Sequence, residues 1–504
     1  MSNRSTSAKA RPEKHPVDQV PALARLFPLG LQHVLAMYAG AVAVPLIVGG
    51  ALDYAPEDLA FLISADLFVA GIATLIQTIG FWRFGVRLPM IQGVTFAAVG
   101  PMISIGLTYD ITAVFGATIA CGLFMVLLAP VFSSLLRFFP PIVTGTVILI
   151  IGLSLMRVAA GWITHNQESA RPIDVAFAFG TLALIVLIER FAPPALARVS
   201  VLLGLVVGTL VAIPFGLVDW TGVGDAAWFA FITPFHFGLP TFPPAAIISM
   251  LIVGLVIMTE TTGDMIAIGE IVDRPVQKRQ LADGLRADGL STLLGGIFNT
   301  FPYTAFAQNV GLVSLTRVKS RYVVTVAGGI LVLLGLIPKV GAIVEGVPTA
   351  VLGGAGIALF GMVAASGVRS LSKVSFNNSN VLVVAISVGV ALLPTVAPGI
   401  YDEFPDWFQL IFDSGISAGA ICAILLNLLL NGEQMRAARA DEPALSAHDA
   451  VRGPAAAVLT HPDATGTGLI ATVRLPRGDA ERVTETVVEP IDAEDAEPEP
   501  EPER

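Results

Sequence analysis

Hydrophobic positions in this chain do not alternate with polar ones at a strand period. They come in long runs separated by short charged breaks or by glycine and proline. A helix needs about 20 apolar residues to cross a hydrocarbon core about 30 Å thick. Runs approaching or exceeding that length occur at 27–52, 59–81, 112–136, 142–163, 175–188, 199–217, 247–268, 323–337, 340–364, 381–396 and 411–430. A shorter, glycine-interrupted run follows at 289–298, after a stretch at 270–286 that reads as a charged loop. Two further apolar segments, 88–101 and 300–316, carry internal proline and glycine, which a continuous helix disfavours. Each reads as a broken span, part extended and part helical. The pattern predicts an all-α polytopic membrane protein of about fourteen transmembrane spans, the third and tenth broken.

Composition agrees. The 504 residues are 54% hydrophobic and 13% charged, roughly half the charge of soluble domains, which carry about 25%. A transmembrane β-barrel needs short alternating segments, and none is evident. The net charge of −10 lies largely in the tail, 432–504, which ends in a Glu-Pro repeat. With few aromatics that tail is expected to be mostly disordered, apart from a strand-like piece at 468–475. Cys121 and Cys422 both sit in apolar runs and read as buried hydrophobes.

Loop charge sets orientation. Basic residues such as Arg83, Arg87, Arg190, Arg198, Arg274, Lys278, Arg317, Lys319, Arg369 and Lys373 fall in alternate loops, and the loops between are mostly acidic or neutral, with Arg171 and Lys339 as isolated exceptions. The positive-inside rule then puts both termini in the cytoplasm. The two broken segments also resemble each other: Gln92-Gly93-Val94-Thr95-Phe96-Ala97 beside Pro302-Tyr303-Thr304-Ala305-Phe306-Ala307. They lie seven spans apart, so the halves have opposite topology. Paired interrupted segments of this kind point to a transporter's binding site.

The candidate chemistry lies in and beside those segments. Glu260 and Asp264 are four apart in an apolar run, on one helix face, and intramembrane acids are functional by default. Burial and mutual repulsion make the pair a candidate proton carrier; a solvated, structural pair at a helix end is the alternative. Gln308 and Asn309 supply amides that can pair with the edge of a heterocycle or satisfy the broken helix's own backbone. Phe96 and Phe306 occupy equivalent places and can sandwich a planar ring or simply fill space. His33, inside the first span, can bond an acid of the eighth span or serve as a core histidine. Asp66 has no evident partner, and Asp413 reads as a helix cap.

Gln308-Asn309-Val310-Gly311 followed by Thr316-Arg317 resembles the signature of the nucleobase–ascorbate transporters, the type 2 nucleobase:cation symporters. The resemblance extends to Gln32-His33, to Gln92 through Ala97, and to Glu260 and Asp264. It implies seven-plus-seven inverted repeats, with a core domain in 27–138 and 246–338 and a gate domain in 139–245 and 339–431. These are flanked by cytoplasmic tails at 1–26 and 432–504. By motif position, Glu260 and Gln308 look like the groups that hold a nucleobase, with Phe96, Ala307 and Phe306 as pocket contacts. Asp264, His33, Asn309 and Thr95 look like the supporting and proton-coupling network, and Gly311, Thr316 and Arg317 like signature and gating positions. Gln-Asn at 308–309, where uracil carriers tend to have Glu, favours xanthine or urate.

The expected function is therefore proton-coupled import of an oxidised purine by alternating access of the elevator kind. It needs no cofactor beyond the coupling proton, no metal and no nucleic acid. The partners are the purine and the lipid bilayer of the cell (inner) membrane, with a homodimer implied by resemblance. The alternatives are a uracil or other nucleobase permease, or a sulfate-permease-like anion carrier, which would need positive charge at the site. A membrane enzyme would need clustered acids or histidines for metal or phosphate chemistry, and the six histidines are scattered.

Overall fold

The computed structural model describes residues 14–135, 138–167, 169–440, 458–462 and 469–473. The first helices are α1 (Leu23–Ala51), α2 (Pro56–Ile79), α3 (Val99–Thr108), α4 (Ile111–Leu135), α5 (Pro141–Thr164) and α6 (Pro172–Phe191). There follow α7 (Pro194–Ala197), α8 (Ser200–Ala212), α9 (Thr221–Asp225), α10 (Pro244–Ile271), α11 (Lys278–Ile297) and α12 (Ala307–Thr316). The last are α13 (Arg321–Gly335), α14 (Pro338–Glu345), α15 (Thr349–Leu371), α16 (Asn378–Val396), α17 (Asp406–Phe412) and α18 (Gly415–Ala440). Among the described residues nine helices are long and apolar enough to cross a membrane, or ten if α13 and α14, bent by 80° at Leu336–Ile337, count as one. Proline opens α2, α5, α6, α10 and α14, where its missing N–H has no intrahelical acceptor to lose.

Two three-residue strands, β1 (Gln92–Val94) and β2 (Tyr303–Ala305), cross antiparallel at the centre of the helices, with Gly93 opposite Thr304. Each strand leads into a short helix, β1 through a 3-10 turn (Phe96–Ala98) into α3, and β2 into α12. The two half-helices therefore start close together and run in opposite directions. Extended backbone at membrane depth is tolerated where it is buried in protein or lines a cavity, and every residue of both strands is buried.

Around this crossing α2 packs along α13, α4 along α11, and α5 along α15. Glycines make the first two pairings close. A Cβ on Gly71 would lie 2.5 Å from the Val332 backbone nitrogen, and one on Gly122 would lie 2.4 Å from that of Leu293. Small residues at such crossings let helices meet backbone to backbone where no hydrophobic drive exists between them.

Three local expectations change. Residues 278–286 are helical, because Gln277 and Gln280 form a reciprocal capping box that starts α11 well before its apolar part. The run 340–364 is divided, because Pro348 stops α14 from continuing into α15. Asp413 follows α17, and the cap of α18 is the Ser414 hydroxyl, which accepts from the Ser417 amide at 3.3 Å.

A second unit comprises 434–504. Within it β3 (Val458–Pro462) pairs antiparallel with β4 (Leu469–Val473), the latter inside the strand-like piece. The expectation of disorder over most of the tail falls on residues outside those described.

Candidate functional site

The strand crossing, the half-helices, α5, α10 and α15 line a cavity of about 450 Å³. Small-molecule sites span roughly 300–1,000 Å³, so a bicyclic base fits. Val94, Phe96 and Ala97 line it from the first broken segment, Thr304 to Gln308 and Gly311 from the second, and Glu260 and Asp264 from α10. Of the residues singled out from sequence, Glu260, Asp264, Phe96, Phe306, Ala307, Gln308 and Gly311 thus meet at one surface. Thr144, in the first turn of α5, and Arg369 and Ser370, in the last turn of α15, also line the cavity. Arg369 was not anticipated as a lining residue, since a loop cation reads only as an orientation signal.

The half-helices aim at this space. The first amides of a helix have no intrahelical acceptor, and their partial positive charge favours acceptor groups on a ligand. Ala307 and Gln308 open α12, while the Thr95 hydroxyl holds the Ala97 amide at 3.1 Å. Glu260 faces the cavity without a hydrogen-bond partner among the described residues. Its neighbour Thr261 fastens α10 to β2, contacting the Thr304 hydroxyl at 3.0 Å and accepting the Ala305 amide at 3.3 Å.

The aromatic pair is unequal. The Phe306 ring is wedged between Gly93 and Gly40, where added Cβ atoms would lie 2.3 Å and 2.9 Å from it, and is 4% exposed. Phe96 is half-buried, edge-on to Phe360 at 5.8 Å, and keeps more of its face for a ligand.

Behind the cavity wall lies a polar layer. The His33 Nδ1 bonds Asn309 Oδ1 at 2.5 Å, and the Asn309 amide donates to the Pro89 carbonyl at 2.8 Å. The partner of His33 is therefore Asn309, not an acid of α10: Asn309 offers a buried acceptor that needs no charge. Asp288 of α11, absent from the sequence candidates, accepts from the Gln77 amide at 2.8 Å. Asp264 feels the charges of both Glu260 and Asp288, and one oxygen each of Asp264 and Asp288 is buried without a hydrogen-bond partner among the described residues. Thr316 bonds back to the Leu312 carbonyl and Arg317 ends α12 in a left-handed conformation; neither reaches the cavity. Asp66 has partners after all: its Oδ1 accepts from the Tyr303 hydroxyl at 2.7 Å and from Thr300 at 3.2 Å. No group of three or more His, Cys, Asp or Glu side chains suited to a metal ion occurs among the described residues.

Comparison with known proteins gives concordant results. A model of the permease family matches residues 24–400. The uric acid transporter UacT of Escherichia coli (strain K12) is 46% identical over 441 residues, covering 86% of this chain and 91% of its own length. The xanthine permease of Bacillus subtilis (strain 168) is 47% identical over 407 residues, covering 80% and 93%. Among solved structures, the transmembrane domain of the cyanobacterial bicarbonate transporter BicA superposes with a TM-score of 0.53 over 81% of this chain and 98% of its own, at 13% identity. That last likeness is one of fold alone.

Proposed function

The chain belongs to the nucleobase–ascorbate transporter family of membrane permeases, and from that premise we propose that it imports xanthine or urate by proton symport. It is a multi-pass transporter and not an enzyme. The carrying observation is that Glu260 and Gln308 line one cavity at the start of a half-helix. A carboxylate accepts two adjacent N–H groups, a primary amide both donates and accepts, and free helix amides favour carbonyl oxygens. An oxidised purine presents those groups around one flat ring system. Names of the relatives, a uric acid transporter and a xanthine permease, support the same substrate class.

The acids support proton coupling. Glu260, Asp264 and Asp288 repel one another when all are charged in a low-dielectric site, and uptake of one proton relieves this. Binding a base against Glu260 alters the same balance, which links substrate to proton.

The packing supports alternating access. The ten spans, with α13 and α14 as one, become fourteen when the two strand-plus-helix segments, α8 and α11 are added. The α2–α13 and α4–α11 pairs exchange under a seven-span offset, as inverted repeats require. They form a core domain that carries the site, and α5, α6, α8, α15, α16 and α18 form a gate domain along which it slides. With Arg369 and Lys373 on the cytoplasmic side, the part of the cavity lined by Thr144 and Arg369 faces the cytoplasm in the inner membrane, as do both termini. A homodimer built on the gate domain completes the reading.

Uptake of radiolabelled xanthine by cells expressing the chain tests it, with urate, uracil, hypoxanthine and guanine as competitors and with a protonophore. Saturable uptake displaced by urate and abolished by the protonophore is expected. Displacement by uracil alone contradicts the purine assignment, and insensitivity to the protonophore contradicts the coupling.

A further inference from the structure

We infer that Asp66 is a positioning residue for the purine site, acting through Tyr303 and never touching substrate. The inference rests on the transport reading above for its functional consequence and on geometry alone for its structural one. Asp66 sits mid-way along α2 with no exposed surface. Its Oδ1 accepts two hydroxyls, those of Tyr303 at 2.7 Å and Thr300 at 3.2 Å. Tyr303 is the first residue of β2, and the chain from there runs directly through Ala305 and Phe306 to Ala307 and Gln308 in the cavity wall. Between the two hydroxyl residues lies Pro302, whose carbonyl accepts the Thr95 amide at 2.9 Å. One carboxyl oxygen thus holds both ends of the turn that launches the second broken segment.

The remainder of the α2 face treats the first segment in the same way. Two turns or so further along, the Thr74 hydroxyl accepts the Gln92 amide of β1 at 3.0 Å, and Gln77 holds Asp288. The ladder between β1 and β2 has only three residue pairs, and so short a ladder is marginal by itself. Side-chain anchors from α2 therefore fix where each half-helix begins. Of the two carboxyl oxygens only Oδ1 meets the hydroxyls, Tyr303 also lying 3.0 Å from the Asp66 backbone carbonyl, and Oδ2 has no partner among the described residues. An asparagine in place of Asp66 keeps the side-chain acceptor; an alanine removes it, leaving Thr300 without this acceptor and Tyr303 with the backbone carbonyl alone.

The test uses the full chain with Asp66→Asn, Asp66→Ala, Tyr303→Phe and the Asp66→Ala/Tyr303→Phe double variant. Xanthine uptake, at matched protein amounts, is split into KM and maximal rate. Asp66→Ala and Tyr303→Phe are expected to raise KM about tenfold, the double variant no further than the worse single one, and Asp66→Asn to stay within about threefold of the parent. A second readout needs no substrate: Ala307→Cys in a chain with Cys121→Ala and Cys422→Ala, modified by a small maleimide. Asp66→Ala is expected to change that rate severalfold, and Asp66→Asn to leave it unchanged. If the parent carries no purine but the labelling responds in this way, the purine reading fails and the positioning role stands. Unchanged KM and labelling in Asp66→Ala, or Asp66→Asn as impaired as Asp66→Ala, overturns the inference.

Discussion

The His33 imidazole and the Asn309 side-chain oxygen lie 2.5 Å apart, joining α1 to the half-helix α12 directly behind the cavity wall. Both residues are buried, and Asn309 spends its amide on the Pro89 carbonyl. Leaving a buried polar group unpaired costs about 1–3 kcal/mol. Asn309→Ala orphans two partners, so it is expected to lower thermal stability by several degrees and to reduce uptake at least tenfold. Asn309→Asp keeps the acceptor for His33 but turns a carboxyl oxygen toward the Pro89 carbonyl, and should fall between parent and alanine. Melting curves of the purified variants, with uptake at matched amounts, check the order.

Gly93 is set by Phe306. A methyl group there would lie 2.3 Å from the ring, which Gly40 already confines on its other side. Overpacking of a filled core costs about 1–3 kcal/mol. Gly93→Ala is expected to weaken xanthine binding tenfold or more. Adding Phe306→Leu, which frees volume at that contact, should recover part of the loss. Affinity no worse than the parent's in Gly93→Ala would show that the ring moves freely.

Much of this centre was legible in the chain because polarity was out of place there. Glu260 and Asp264 stand in an apolar run, and the broken segments announce themselves by proline, glycine and mutual likeness. Asp288 was hidden for the converse reason. Its helix, α11, opens with Lys278, Arg279, Asp283 and Arg286, which hydropathy reads as a loop. That helix packs against α4 and α2, so its polar side chains meet protein and not lipid. Asp66 was visible as an intramembrane polar group and Gln77 was not singled out; their partners lie 237 and 211 residues away, and no local pattern encodes a pairing at that distance.

Gln77 bridges Asp288, the Gly284 carbonyl and the Val86 amide. Gln77→Leu removes all three bonds at once and leaves a buried carboxyl group without a donor from α2. It is expected to reduce uptake by an order of magnitude or more and to lower the melting temperature. Gln77→Glu, which keeps the acceptor for Val86 but adds a charge beside Asp288, should be no better than leucine.

On the face where α10 and α12 end, Lys319 donates to Asp273 and holds its carboxyl below the ordinary carboxylate range, through the hydrogen bond first and the charge second. A carboxyl depressed in the folded state adds stability that is present above its unfolded pKa and is lost as pH falls through the folded one. Lys319→Ala is therefore expected to lower the melting temperature slightly near neutral pH. The gap to the parent should close as the pH drops below the ordinary carboxylate range. Because the pair is exposed, added salt should shrink the gap as well.

The most direct measurement of the purine site is ligand-induced stabilisation of the purified protein, comparing the parent with Glu260→Gln and Gln308→Ala. Xanthine and urate are predicted to raise the parent's melting temperature saturably, by an amount that vanishes in Glu260→Gln and shrinks in Gln308→Ala, while uracil has no effect. An equal rise in the parent and in Glu260→Gln, or no rise with any purine, would contradict the account.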